Sequence, residues 1–232
     1  MNDASTNAHH QRPDQDLPDL SAVCLFPLPN VVLFPRLILP LHIFEERYKA
    51  MTADALSGDR QIAMALLKPG WEKSYYERPA IEPVVCVGTI LSHERLPDGK
   101  YNFLLQGHTR ARVVHEHPRE EGRLYRVAAL EPVAQPQVLE IDLTRVRQRI
   151  ANLFSDEGGL LARLSVAGPA RKVIASSLPT EGVIDWLAFH LFDDIALKHG
   201  LLAEPDVRKR AEVAIRVLHT MAPTCPTHPH LN

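Results

Sequence analysis

His115, Glu116 and His117 are the residues whose types and spacing most resemble a reactive centre. On a strand, alternate positions project both imidazoles to one face, which is what a pair of metal ligands requires. His93 or His108 could complete such a site, giving a small metal-dependent hydrolase. Two histidines do not fix a coordination sphere, and neither a third ligand nor an acid or base can be assigned. A polar strand end approaching Pro118 is therefore the favoured reading. His93-Glu94 does not extend to HExxH, because Pro97 stands where the second histidine is needed. His228 and His230 fall in a Pro/His-rich terminal stretch, where ordered ligation is not expected.

Nucleotide and acyl chemistry find less support. A phosphate-cradling GxxxxGK[ST] loop needs backbone amides, a lysine and a hydroxyl. The Gly99-Lys100 pair is followed by Tyr101 and has Glu94 at the first glycine position. No GxSxG elbow occurs. The sequence thus predicts no catalytic residues, no metal and no cofactor.

What remains is surface for binding. Trp71, Tyr75 and Tyr76 cluster in a loop flanked by glycine and proline, where exposed rings would contact apolar side chains of a bound polypeptide. The same rings could instead fold back over the protein's own core, and the two readings stand level. Arg110 and Arg112 alternate on one strand; a solvated strand face explains them better than an anion site. A formal net charge of -2 offers no broad attraction to phosphate backbones or anionic lipid. Neither nucleic acid nor membrane is an expected partner, although a local patch of Arg110, Arg112, Arg123 and Arg126 is the place where RNA would bind if it did.

The elements that position these residues change character along the chain. Residues 1–19 are polar and read as a disordered tail, as does the segment 223–232. Strand texture runs through 21–26, 37–44, 61–67, 84–96, 101–106, 109–117 and 123–133, with an antiparallel hairpin at Pro97-Asp98-Gly99-Lys100. One helix interrupts the strands, with Phe44, Tyr48, Met51 and Ala55 on one face, Glu45 and Lys49 paired, and Gly58 as its end.

After Pro136 the apolar period becomes helical. Leu139, Leu143, Val146, Ile150 and Leu153 form one stripe, with Arg145, Arg147 and Arg149 turned away from it. A second helix follows Thr180 as N-cap, Lys198-His199-Gly200 closes a turn, and a last helix starts near Pro205 and buries Val207, Ala211, Ile215 and Leu218. Strands first and helices second predict an α+β architecture, divided as a β subdomain over 20–135 and a helical subdomain over 136–222.

Three cysteines, Cys24, Cys86 and Cys225, form no CxxC, and two sit in apolar runs, so reduced, buried thiols in a cytoplasmic protein are expected. The first twenty residues lack a basic start and an apolar core, and no export is expected. The apolar run from Val23 to Phe44 is interrupted by Pro27, Pro29, Pro35, Pro40 and Arg36, and reads as extended chain instead of a membrane span.

That run, from Phe26-Pro27-Leu28 through Val32-Leu33-Phe34-Pro35 and Leu39-Pro40-Leu41 to Ile43-Phe44-Glu45-Glu46-Arg47-Tyr48, resembles the opening signature of the Lon protease amino-terminal substrate-binding domain. Val87-Gly88-Thr89-Ile90, Gly107 to Arg112, Tyr125 to Pro132 and Leu201 to Arg210 follow in the order of that family's later elements. The resemblance covers nearly the whole folded chain. It implies a PUA-like antiparallel β pseudo-barrel with one helix, followed by an α-helical bundle. Leu28, Val32, Phe34, Leu39, Leu41 and Ile43 would supply the core of the barrel.

By the same resemblance, the expected function is to hold substrate polypeptide without catalysis, as a stand-alone adaptor in protein quality control. The family's peptidase part carries a Gly-Pro-Ser-Ala-Gly-like serine, whereas Gly168-Pro169-Ala170 here has alanine at the serine position. PUA-like barrels of other families hold RNA, which is the alternative reading. Arg36 departs from the family pattern, which often has glycine there, so its turn is expected to be built differently, with an exposed side chain.

Overall fold

The computed structural model describes residues 19–155, 158–162 and 164–221. Both terminal tails, Cys225, His228 and His230 lie outside the described residues. Six strands come first: β1 (Val23–Leu28), β2 (Ile38–Ile43), β3 (Gln61–Leu66), β4 (Val84–Arg95), β5 (Tyr101–Glu116) and β6 (Arg126–Pro132). Their order is β2-β5-β4-β3-β1-β6, and β5 also pairs with β6. Five strands therefore close a ring, and β2 lies alongside β5 outside it. The ladders are antiparallel except that between β1 and β3, which is parallel. Between those two strands come β2 and the helix α1 (Glu46–Ser57), and this long crossover returns the chain in its original direction.

Burial alternates along the ring strands and separates two cores. Leu25, Ala63, Ala65, Val87, Ala111 and Ala128, drawn from all five ring strands, form one cluster, which is the barrel interior. The closed ring is narrow, and alanine and valine fill most of it, with Leu25 and Leu130. The larger residues expected to form the barrel core lie elsewhere. Val32, Phe34 and Ile43 are buried in a second cluster that continues into the helices, with Leu28, Leu39 and Leu41 packed against it. The proline-rich opening run thus coats the outside of the barrel where the bundle docks.

The sequence suggested two strands at 101–106 and 109–117; β5 is one continuous strand through Gly107. Gly107 pairs with Gly88 on β4, next to a register shift. A Cβ at Gly107 would lie 2.3 Å from the Phe34 carbonyl oxygen, and one at Gly88 would lie 2.7 Å from the Gln106 carbonyl oxygen. Bare backbone at Gly107 lets the turn at 34–37 lie against the strand, and at Gly88 it lets β4 close on β5. There Arg36 N–H donates to Gly107 O at 2.7 Å, and Gly107 N–H donates to Leu37 O at 2.9 Å.

That turn is closed by Leu37 N–H donating to Phe34 O at 3.3 Å, with Pro35 second and Arg36 third at φ 68°. A type II turn needs positive φ at its third residue. The turn is thus built as glycine would build it, contrary to the expectation from Arg36, although the side chain is exposed as expected.

The helices are α2 (Thr144–Phe154), α3 (Ala167–Ala175), α4 (Thr180–Leu191), α5 (Ile195–Ala203) and α6 (Val207–Thr220). Several local expectations fail where a neighbour supplies a better partner. Phe44 precedes α1 and is exposed; Lys49 pairs with Glu46 at 2.6 Å, not with Glu45. Leu139 is exposed ahead of α2. Thr180 lies inside α4, its amide and hydroxyl donating to the Glu140 carboxylate. Lys198-His199-Gly200 lies within α5, which Asp194 caps through the amides of Ala196 and Leu197. Asp206, not Pro205, heads α6, whose Val207, Ala211, Ile215 and Leu218 are buried as expected. Arg147 is not a solvent-facing charge, because its guanidinium donates to the carbonyls of Ile174, Ser176 and Leu178 and so closes the α3–α4 connection.

Barrel and bundle are joined by buried charge. Arg110 on β5 donates to Asp185 on α4 at 2.6 Å and to Leu202 O at 3.2 Å. Arg210 on α6 reaches the same Asp185 oxygen at 3.3 Å. All three side chains are at most 1% exposed. Arg110 therefore does not lie on a solvated face. Glu181, one turn before Asp185, bridges Arg210 at 3.4 Å and Arg36 at 2.9 Å. Cys86 is buried and Cys24 half-buried, and burial pushes their thiols up to about 12 and about 11, so both stay protonated. No helix among the described residues is long and apolar enough to cross a membrane.

Two substitutions test this framework. Asp185→Ala leaves two buried guanidiniums without their carboxylate and should cost about 3–5 kcal/mol in urea unfolding. Gly107→Ala must push back the Phe34 backbone and should cost roughly 1–3 kcal/mol, read as a lowered thermal midpoint.

Candidate functional site

Trp71, Tyr75 and Tyr76 do come together. Trp71–Ser74 form a single 3-10 turn entered through Gly70 at φ 89°, a conformation glycine tolerates. Trp71 meets Tyr75 edge-on at 5.3 Å, and Tyr75 meets Tyr76 edge-on at 5.2 Å. Their surroundings differ. The Tyr75 hydroxyl donates to Glu45 Oε1 at 2.8 Å, and Arg47 Nη1 donates to the Tyr75 carbonyl at 3.0 Å. Burial and the Glu45 carboxylate raise the Tyr75 phenol above its ordinary value, so it remains a donor. Tyr75 thus folds back onto the protein, whereas Tyr76 is 88% exposed.

Arg47 organises this loop. Its guanidinium lies 4.5 Å from the ring centres of both Tyr48 and Tyr75, and its Nε donates to Glu45 at 3.0 Å. Cation–π contacts of this kind contribute on the order of 0.5–2 kcal/mol each, more as water is excluded. Tyr48 is buried against Phe26, with ring centres 4.4 Å apart, and its hydroxyl donates to Pro27 O. The Glu-Glu-Arg-Tyr segment heading α1 thereby anchors the aromatic loop to β1.

Beside the loop opens a cleft of about 430 Å³. Leu25, Pro27 and Val127 line it from barrel strands and Tyr48 from α1, while Tyr76 and Leu124 line it from the connecting loops. Arg47, Arg78, Arg119, Arg123 and Arg126 also line it, against a single lining carboxylate, Glu77. Glu116 braces two of these cations. It accepts from Nε and Nη2 of Arg126 and lies 3.2 Å from Arg78 Nη2, while Arg126 Nη1 donates to Pro79 O at 2.8 Å. Arg123 pairs with Glu120 at 2.7 Å, and the Tyr125 hydroxyl donates to Asp54 at 2.6 Å.

This aromatic and basic cluster is absent from any contiguous stretch of sequence. Three segments, at Arg47, at Arg78 and from Arg119 to Arg126, converge only in the fold. The patch suggested by Arg110, Arg112, Arg123 and Arg126 is split: Arg110 is buried with Asp185, and Arg112 is exposed 3.9 Å from Glu131. Arg123 and Arg126 alone belong to the cleft. A doubling of Arg and Tyr around the two loops, with no strand period to bury them, was the available signal.

The histidine pair is real but otherwise engaged. His115 and His117 pack edge-on with ring centres 5.1 Å apart, and His117 Nε2 donates to Ser21 O at 2.9 Å. His93 and His108 line other cavities. Among the described residues no group of three His, Cys, Asp or Glu side chains could hold a metal ion.

A closed barrel carrying a helical bundle, with a cleft of apolar, aromatic and guanidinium surface, is the architecture of a binding domain. The family model of the ATP-dependent protease La (LON) substrate-binding domain matches residues 22–220, and the chain belongs to that family. The Lon protease of Dictyoglomus thermophilum is 26% identical over 203 residues, covering 85% of this chain and 24% of that protein. The Lon protease of Lawsonia intracellularis is 29% identical over 178 residues, covering 71% and 21%. The chain thus spans about a quarter of the length of the curated relatives it matches. Among solved structures, the N-terminal domain of Mycobacterium avium complex Lon protease superposes with a TM-score of 0.66 at 16% identity, over 87% of this chain and 100% of that one. A Lon N-terminal domain protein from Xanthomonas campestris gives 0.57 at 21% identity, over 88% and 99%. These two support the fold.

The cleft should respond to acid. Burial opposes ionisation of Glu116, but the Arg126 hydrogen bonds and the charges of Arg126 and Arg78 outweigh it and hold the carboxyl below its usual range. A carboxyl depressed in the folded state stabilises it above the ordinary carboxylate pKa of roughly 4.3, and that stability is lost as pH falls through the folded value. Glu116→Gln should therefore flatten the fall of the urea midpoint on the acid side, compared with wild type at each pH.

Proposed function

We propose that this domain captures exposed segments of polypeptide at the cleft beside Tyr76, without catalysis of its own, as an adaptor in protein quality control in the cytoplasm. The observation that carries this reading is Tyr76 itself, a large ring 88% exposed on a loop that Arg47 and Tyr75 hold in place. Tyr76 is not a lone surface ring but stands beside Tyr75 and Leu124 at a cleft, and aromatic anchors concentrate at the centres of binding surfaces. Family membership supports the same class of ligand. Trp71 and Tyr75 contribute as the support that orients Tyr76, with part of their ring faces still available.

The chain carries neither a nucleotide-cradling motif nor a serine elbow, which supports a binding role and not an enzymatic one. Fluorescence anisotropy with labelled, chemically unfolded casein tests the proposal. Tyr76→Ala should weaken binding about tenfold, as loss of an aromatic anchor does, with an unchanged circular dichroism spectrum. Equal binding by the two proteins would count against it.

A further inference from the structure

The cleft holds more charge than capture of apolar segments requires. Five guanidiniums line a space of about 430 Å³ with one carboxylate among them. Four are fixed by partners: Arg47 by Glu45, Arg78 and Arg126 by Glu116, and Arg123 by Glu120. Each partner occupies only part of a guanidinium that has five N–H donors, so further donors remain for an occupant. Arg119 is exposed and makes no hydrogen bond or ion pair with any described residue. Exposed apolar surface from Tyr76 and Leu124 lies alongside these cations, with Pro27 and Val127 buried in the same lining.

We infer that the cleft selects polypeptide segments in which a carboxylate, from Asp, Glu or a chain terminus, adjoins apolar side chains, with Arg119 and Arg123 as its principal donors. This rests on the polypeptide-binding reading and specifies its ligand. Charge complementarity decides the occupant. An unpaired arginine beside a partly paired one offers a fork that matches one carboxylate, and hydrogen bonds between ions are the strong ones. The exposed side chains of Tyr76 and Leu124 in the same cleft match an apolar neighbour in the same segment.

A nucleic acid fits less well. Binding a phosphate backbone draws its strength from neutralising many phosphates with unpaired cations. Here four of the five cations already face carboxylates, and the whole chain carries a formal charge of -2. What remains is a short-range donor set and not a long-range field.

Two capped, unstructured peptides rich in Leu and Phe, identical except for Asp or Asn at the same positions, test the inference by fluorescence anisotropy at low salt. Wild-type protein should hold the Asp peptide about tenfold more tightly than the Asn peptide, a preference that fades as salt is raised. The ratio should fall towards one in Arg119→Gln/Arg123→Gln. Arg119→Glu, at an exposed residue with no partner to lose, should invert it while leaving the circular dichroism spectrum intact. Equal affinity of wild type for the two peptides would overturn carboxylate selection and leave polypeptide capture standing. If neither peptide binds, or if a labelled oligoribonucleotide binds more tightly than the Asp peptide, both readings fall.

Discussion

One carboxylate, Asp185, holds the molecule together. It sits on α4, almost wholly buried, and accepts from Arg110 of the barrel and Arg210 of the last helix through the same oxygen. Burial pushes its carboxyl above the usual range against the pull of the two guanidiniums. Its second oxygen, Arg110 Nη1 and Arg210 Nε have no hydrogen-bond partner among the described residues, so the arrangement is not optimal in stability alone. A buried charge triad constrains orientation more than it stabilises, because any other docking of the bundle would leave ions stranded in apolar surroundings. Glu181, half-buried one turn away, extends the network to Arg36 and so ties the β-turn at 34–37 to the same helix.

That turn connects the triad to the strand geometry. Arg36 accepts an unfavourable left-handed backbone, and its amide donates to Gly107 O. The paired glycines let β4 and β5 run as one long hairpin; the half away from its turn closes the barrel, and the half beside the turn pairs with β2. At its end β5 delivers Glu116 and His117 to the cleft, while β6 begins there with Arg126. The cleft is therefore the place where the longest strand, the start of the last strand and the loop before β4 meet. The bundle docks on the outer core through Arg110, on β5 and nine residues before Arg119.

Within the cleft, partnering separates support from readiness. Glu45, Glu116 and Glu120 each hold at least one arginine in place, and Tyr75 is held by Glu45 and Arg47. Those contacts satisfy the groups that would otherwise have to reorganise when a ligand arrived, which lowers the entropic cost of binding. Tyr76 and Arg119 are left without such restraint and face solvent. A surface in which supporting residues are tied and contacting residues are free suits segments that share a chemistry and differ in sequence.

Much of this was legible in the residue order. Strands before Pro132 and helices after it, the hairpin at Asp98-Gly99, the buried face of the final helix and the family signature from Phe26 to Tyr48 are local facts, set by periodicity, turn chemistry and motif. The sequence also placed Trp71, Tyr75 and Tyr76 together, because near neighbours on one loop must meet. It could not say that Tyr75 is held and Tyr76 is free, that Arg110 is buried while Arg112 is not, or that small residues fill the barrel while the large ones coat it. Those outcomes depend on partners from 30 to 75 positions away, such as Glu45 for Tyr75 and Asp185 for Arg110. The closure of the ring and the convergence of five arginines belong to the same class. Local sequence dictates what each segment is, and only the closed tertiary structure decides which charges face one another, because charge pairing is settled by distance in space.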